Sequence, residues 1–174
     1  MLESNPIIQW ITEGLAVPTP EVIKQFLEIH YADGQHMLAN DELTACMSWS
    51  SPKDYQAKRQ ALLDFSSQLK KKYENNKLAS KKFKGLQSLQ AFQANTRGYH
   101  LNLLLVRPEK RGKGLSTLLL TSLIEKSIRI KLPISIELTD PVQLEIFRHA
   151  DFHVADSYDL PEGPTVWRLY RSAR

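Results

Sequence analysis

Residues 99–138 read YHLNLLLVRPEKRGKGLSTLLLTSLIEKSIRIKLPISIEL, and the order of apolar runs and breaks within them decides the fold class. The run from Tyr99 to Val106 is almost wholly apolar and too short for a typical helix, which predicts a strand buried on both faces. Arg107-Pro108 stops it, since proline has no N–H to continue a ladder. After a glycine-containing turn, residues 115–130 keep apolar positions along one broad face and predict a helix, and residues 134–138 predict a second buried strand. A strand, a crossover helix and a strand of this length imply a parallel pair. The class is therefore α/β with a mixed sheet.

Working outward, a short helix is expected near 141–149 and two further strands at about 152–158 and 165–171. Upstream, residues 36–50 read as two short strands about Asn40-Asp41-Glu42, ended by Ser51-Pro52. From there to about Gln93 only Gly85 interrupts a stretch rich in leucine, lysine, glutamine and alanine, which predicts helices broken near Asn75-Asn76. At the start, residues 5–16 and 20–30 space apolar residues by three and four, and Thr19-Pro20-Glu21 is a good helix start. No repeat or low-complexity tract is visible.

A chain of 174 residues, 42% of them hydrophobic, is one domain's worth of sequence with one sizeable core, so residues 1–174 are read as a single domain. With 24% charged residues, 7 glycines and 9 prolines, neither a disordered nor a fibrous class fits. Glu3 and Glu13 sit in a start without a basic end or an apolar centre, and no uncharged apolar run is long enough to span a bilayer. A soluble protein with no membrane partner is expected. Cys46 is the single cysteine, which suits a reducing cytoplasm and leaves no intrachain disulfide or multi-cysteine metal site. His30, His36, His149 and His153 lack metal-site spacing, so no metal is expected. The formal charge of +4 is local: residues 70–84 carry seven lysines against Glu74. That run reads as the solvated face of a helix, and with only Tyr73 and Phe83 beside it nucleic acid is not an expected partner.

Chemistry concentrates in Val106-Arg107-Pro108-Glu109-Lys110-Arg111-Gly112-Lys113-Gly114-Leu115-Ser116. Backbone N–H groups at a helix start face one way, the helix dipole adds partial positive charge, and glycines remove side chains that would block an anion. Arg111 and Lys113 add full charges. Neither the G-x-x-x-x-G-K-[ST] nor the G-x-G-x-x-G spacing is present, so the segment suits a diphosphate of some other ligand, the alternative being a solvated basic turn.

Arg111-x-x-Gly114-x-Ser116, between an apolar strand and an amphipathic helix, resembles the R-x-x-G-x-[GA] acyl-CoA signature of the GNAT superfamily of N-acetyltransferases, with serine at its last position. Ile136-Glu137-Leu138 and Leu144 to Phe152 are similar to the family's next strand and helix. Residues 159–167 and 43–52 are similar to segments of the branch containing puromycin N-acetyltransferase, and the likeness covers roughly residues 36–172. The resemblance implies a mixed central sheet, flanked by helices and splayed between two parallel strands, with the cofactor half at about 98–172. Acetyl-CoA would lie in that opening, its pantetheine on backbone groups of Leu104, Leu105 and Val106 and its pyrophosphate on Arg111, Gly112, Lys113, Gly114, Leu115 and Ser116. The implied activity is acetyl transfer to the amine of a small molecule by direct attack, by a monomer or homodimer. Families of this kind usually begin with a strand before the first helix, and its lack here leaves one sheet edge missing or supplied by a partner chain.

Phe147 stands where the family usually has a general-acid tyrosine, at the cofactor's sulfur. That departure keeps a second reading open, a non-catalytic acyl-CoA-binding regulatory module. Candidate bases are His100 and Asn102, on one face of the first strand, and Glu137 on the second. Tyr158, Asp159 and Glu162 fall in a loop that in this branch borders the acceptor cleft, where they would favour a cationic acceptor; the alternative is a solvated turn.

Overall fold

Strand, helix and turn boundaries follow the punctuation of the sequence closely. The protein, seen in a computed structural model, is described at residues 6–13, 20, 24–25, 28–29, 35–92 and 97–174. In chain order these form helix α1 (Pro6–Thr12), strands β1 (Gln35–Ala39) and β2 (Ala45–Ser50), helices α2 (Pro52–Lys72) and α3 (Lys77–Phe92), strand β3 (Tyr99–Val106), a single 3-10 turn (Pro108–Lys110), helix α4 (Leu115–Ile130), strand β4 (Ile134–Leu138), helix α5 (Pro141–His149), and strands β5 (His153–Asp159) and β6 (Thr165–Arg171). The helix expected at 20–30 lies largely outside the described residues.

Local chemistry explains the boundaries. The β1–β2 turn has no glycine; Asn40 replaces it, its Oδ1 accepting from the N–H groups of Thr44 and Ala45 at 2.8 Å each, while Leu43 takes a positive φ of 52°. Ser51 caps α2 and Pro52 occupies its first turn. Asp140 caps α5 in the same way, its Oδ1 accepting from Val142 N–H at 2.9 Å. Lys131 ends α4 in the left-handed region, with its N–H on the carbonyls of Ile128 and Ser127.

The strands form one sheet in the order β1-β2-β3-β4-β6-β5, with β3 and β4 parallel and every other pair antiparallel. Among the described residues β1 and β5 are its edges. One face packs on α4 and α5 through a core that includes Met47, Leu101, Leu123, Ile134, Phe147, Phe152 and Leu169. The other face carries α1, α2 and α3, with a second core around Trp10, Phe83, Leu89, Leu160 and Val166. Truncating a fully enclosed side chain such as Leu123 would cost about 2–5 kcal/mol. The basic run at 70–84 is not wholly solvated: Lys82 is buried against Trp10 and donates to the carbonyls of Trp10 and Glu13, and Lys81 pairs with Glu162.

Candidate active site

The parallel pair is a pair only at its root. Tyr99 faces Ile134 and His100 faces Ser135; beyond these β3 and β4 diverge, leaving the facing edges of Leu101–Val106 and Ile136–Leu138 without a partner strand. Against β2, Ser48 pairs with Leu103 and Trp49 with Leu101, so Asn102 is an extra residue bulged out where the fork opens. Leu104, Leu105 and Val106, which the family resemblance implies as the pantetheine contacts, lie on the diverging half.

On the face covered by α2, the fork gathers a polar cluster in a buried setting. His100 is 4% exposed, and its Nε2–H donates to Glu137 Oε2 at 2.9 Å. A carboxylate can only accept, so this contact puts a hydrogen on Nε2, while Nδ1 lies 3.1 Å from Ser135 Oγ. The Tyr55 ring packs 4.3 Å from the imidazole. Lys58, 8% exposed, donates from Nζ to Asn102 Oδ1 at 2.7 Å, and Asn102 Nδ2 donates to Ser50 Oγ at 2.8 Å. Burial drives the Lys58 ammonium down to about 7, with the Glu137 charge opposing that shift. Among the described residues, two buried oxygens, Glu137 Oε1 and Ser48 Oγ, have no hydrogen-bond partner, an expensive condition.

Lys58 is the member that the sequence reading misses. It falls one turn after Tyr55 on the buried stripe of α2 that also holds Ser66 and Leu69, and a lysine on that stripe is the one available signal. His100, Asn102 and Glu137, chosen as alternatives, stand together.

The loop beyond β3 has the expected form. Gly112 and Gly114 take φ of 73° and 75°, a region costly for other residues, and a side chain at either would point into open space. Gly114 caps α4 without a side-chain hydrogen bond, so the first-turn amides of Leu115, Ser116 and Thr117 remain open to an anion. Arg111 and Lys113 are exposed beside them. A glycine-lined space before a bare helix start fits the diphosphate of an acyl-CoA. Lys110 instead pairs with Glu42 at 2.9 Å, and its hydrogen bond, aided by its charge, holds that carboxyl below the usual range.

The sequence matches no protein-family model and no curated protein. Solved structures do match. Arylalkylamine N-acetyltransferase 2 from Aedes aegypti superposes over 99% of this chain and 88% of its own, at TM-score 0.63 and 12% identity. The polyamine N-acetyltransferase of Drosophila melanogaster covers 97% and 88%, at TM-score 0.58 and 12% identity. A Desulfovibrio desulfuricans protein assigned to the GNAT family of acetyltransferases covers 100% and 95%, at TM-score 0.52 and 10% identity. The fold is that of the GNAT acetyltransferases.

Within this GNAT fold the remaining expected residues are placed as follows. Phe147 is 3% exposed, its ring edge-on to Phe152 at 5.3 Å in the main core. Tyr158 belongs to the second core beside Phe92, at 5.9 Å. Asp159 Oδ1 accepts from Thr165 Oγ1 at 2.6 Å, and Glu162 is taken by Lys81. Both acids are thus engaged within the protein. Among the described residues no helix is long and apolar enough to cross a membrane.

Proposed function

We propose that the protein transfers an acetyl group from acetyl-CoA to the amine of a small molecule. The observation that carries this reading is the fork: a buried carboxylate with one oxygen fixed by His100 and the other unpartnered, at the point where two parallel strands separate. Acetyl-CoA, when bound, supplies an activated thioester. Gly112, Gly114 and the open amides of α4, with Arg111 and Lys113, hold its diphosphate. The unpaired edge of Leu104–Val106 aligns the pantetheine, and strand amides there are available to polarise a carbonyl. Glu137 takes the proton of the incoming ammonium at Oε1, a role that asks for a positioned base within hydrogen-bond reach. His100 keeps the carboxylate oriented, and Lys58 holds the bulged Asn102. The same reading includes the likeness of residues 159–167 to the puromycin branch and a cytoplasmic setting.

A thiol-release assay over a panel of amines tests the activity, and calorimetry with acetyl-CoA tests the site. Phe147, a ring without a proton to give, favours the second reading of a non-catalytic acyl-CoA-binding module. Binding of acetyl-CoA without turnover on any amine would establish that one instead.

A further inference from the structure

A cavity of about 220 Å³ lies beside the closed end of the fork, between the start of β4 and strands β5 and β6. It is smaller than the roughly 300–1,000 Å³ of drug-sized sites, so it suits a small molecule. Pro133 and Ala155, the latter the extra residue of a bulge in β5, give part of its wall an apolar lining. The rest is polar: the hydroxyl-bearing Ser135 and Tyr170, and two guanidinium groups. Arg168 is already committed, since it donates to the Phe92 carbonyl at 2.6 Å, stacks on the Phe92 ring at 4.5 Å and lies 3.5 Å from Asp156, which offsets its charge. Arg97 is exposed and, among the described residues, has neither an ion pair nor a hydrogen bond. No carboxylate stands in the wall, so an uncommitted fork of donors faces the space, in the geometry that matches a carboxylate best.

Ser135 also joins the cavity to the fork, from which the His100 ring otherwise screens it. Its hydroxyl has one hydrogen and two acceptors in reach, His100 Nδ1 at 3.1 Å and the more distant Tyr99 carbonyl at 3.4 Å. Because Nε2–H is given to Glu137 at 2.9 Å, a neutral His100 keeps Nδ1 as its acceptor and takes that hydrogen. An anion that draws the Ser135 hydrogen into the cavity reverses the bond. Nδ1 must then carry a hydrogen of its own to donate to Oγ, and the ring becomes an imidazolium with a proton taken from solvent. The ring is otherwise faced by the Tyr55 phenol of α2, while Glu137 lies in the field of Lys58 and across from Arg168 on β6. Those groups are present with or without an anion, so the charge on His100 is the difference it makes. An imidazolium beside Glu137 stabilises the carboxylate and weakens it as a base.

We propose that this cavity is an effector site for a small organic carboxylate with a short apolar chain, whose binding slows acetyl transfer by shifting His100 to its protonated form through Ser135. The effect on rate rests on the acetyl-transfer reading above; the binding and the change at His100 do not. Calorimetry with butyrate, and with 1-butanol and inorganic phosphate as controls, tests the site. Butyrate should bind and butanol should not, and Arg97→Met should weaken butyrate about tenfold, with part of the loss restored in Arg97→Lys. No binding of butyrate, equal binding of phosphate, or an affinity unmoved by Arg97→Met would overturn the proposal. Nitrogen NMR of the imidazole reads the coupling. At neutral pH butyrate should move His100 Nδ1 from the unprotonated to the protonated position, and Ser135→Ala should remove that change while butyrate still binds. Binding with no change at Nδ1 would overturn the effector role. On an amine that turns over, butyrate should lower kcat about tenfold without competing with either substrate. Competition with the amine would put butyrate in the fork itself and overturn the assignment to this cavity. Should no amine turn over, the acetyl-transfer reading fails by itself, and calorimetry and NMR still decide the site.

Discussion

The loop at 107–116 and the cluster at the fork both collect charged groups, under opposite conditions. In the loop the cations are exposed, the two glycines flank Lys113, and the backbone amides at the start of α4 carry no side-chain cap. At the fork the polar groups are buried and come from α2, β3 and β4, and burial lowers the Lys58 ammonium against the opposing charge of Glu137. An exposed cation costs little to place and shapes affinity; a buried one carries a desolvation cost and is tolerated only with partners at hand. On the proposed reading the loop binds and the fork carries the chemistry, and that division can be broken by experiment.

The largest effect is expected at the fork. Glu137→Gln keeps the shape and removes the base, so kcat should fall by about 10²–10⁴-fold while acetyl-CoA affinity changes little. Steady-state kinetics with calorimetry would read both. A variant that loses affinity and keeps kcat would reverse the roles of the two regions.

In the loop, Gly114→Val should weaken acetyl-CoA binding about 10²-fold, or about 3 kcal/mol, as a branched residue forced to a φ of 75° stands beside the amides. Lys77→Ala, on an exposed position of α3, should bind as wild type does. Equal affinities for the two would remove the loop from the site.

These two regions were not equally legible. The strand at 99–106, the helix at 115–130 and the turn between them carry their own signals within one contiguous stretch, and the structure reproduces them residue for residue. The fork residues His100, Asn102 and Glu137 could be selected as polar members of apolar strands, but not joined, because their contact depends on strand register and on the bulge at Asn102. Lys58 was out of reach: lysine on a helix reads as solvated, and only its place on the buried stripe of α2 says otherwise. Arg97 and Arg168 lie far apart in the sequence and come together only in the wall of one cavity.

Lys58 sharpens the comparison through pH. Its ammonium titrates at about 7 in the folded protein and near 10.5 when unfolded, so between those values the unfolded chain holds more protons and stability rises with pH. Lys58→Met cannot titrate there. Relative to wild type it should be more favourable at pH 6 than at pH 9, by about 2 kcal/mol, read from urea unfolding at each pH. The loss of a partner for Asn102 is common to both pH values and cancels in that difference. A pH-independent gap would mean that position 58 is solvated, and the fork would then resemble the loop.

The smallest effect is expected at Phe147, which belongs to neither region as the structure places it. Phe147→Tyr adds a hydroxyl to a ring that is 3% exposed and packed edge-on to Phe152. Burying an unpaired hydroxyl costs on the order of 1 kcal/mol, so the variant should melt earlier and keep kcat within a fewfold of wild type. Thermal unfolding and steady-state kinetics on one amine would measure the two together. A rise in kcat towards the 10²-fold of a restored proton donor, without loss of stability, would show that the ring edge reaches the departing thiolate. Phe147 would then move out of the core and into the chemistry of the fork.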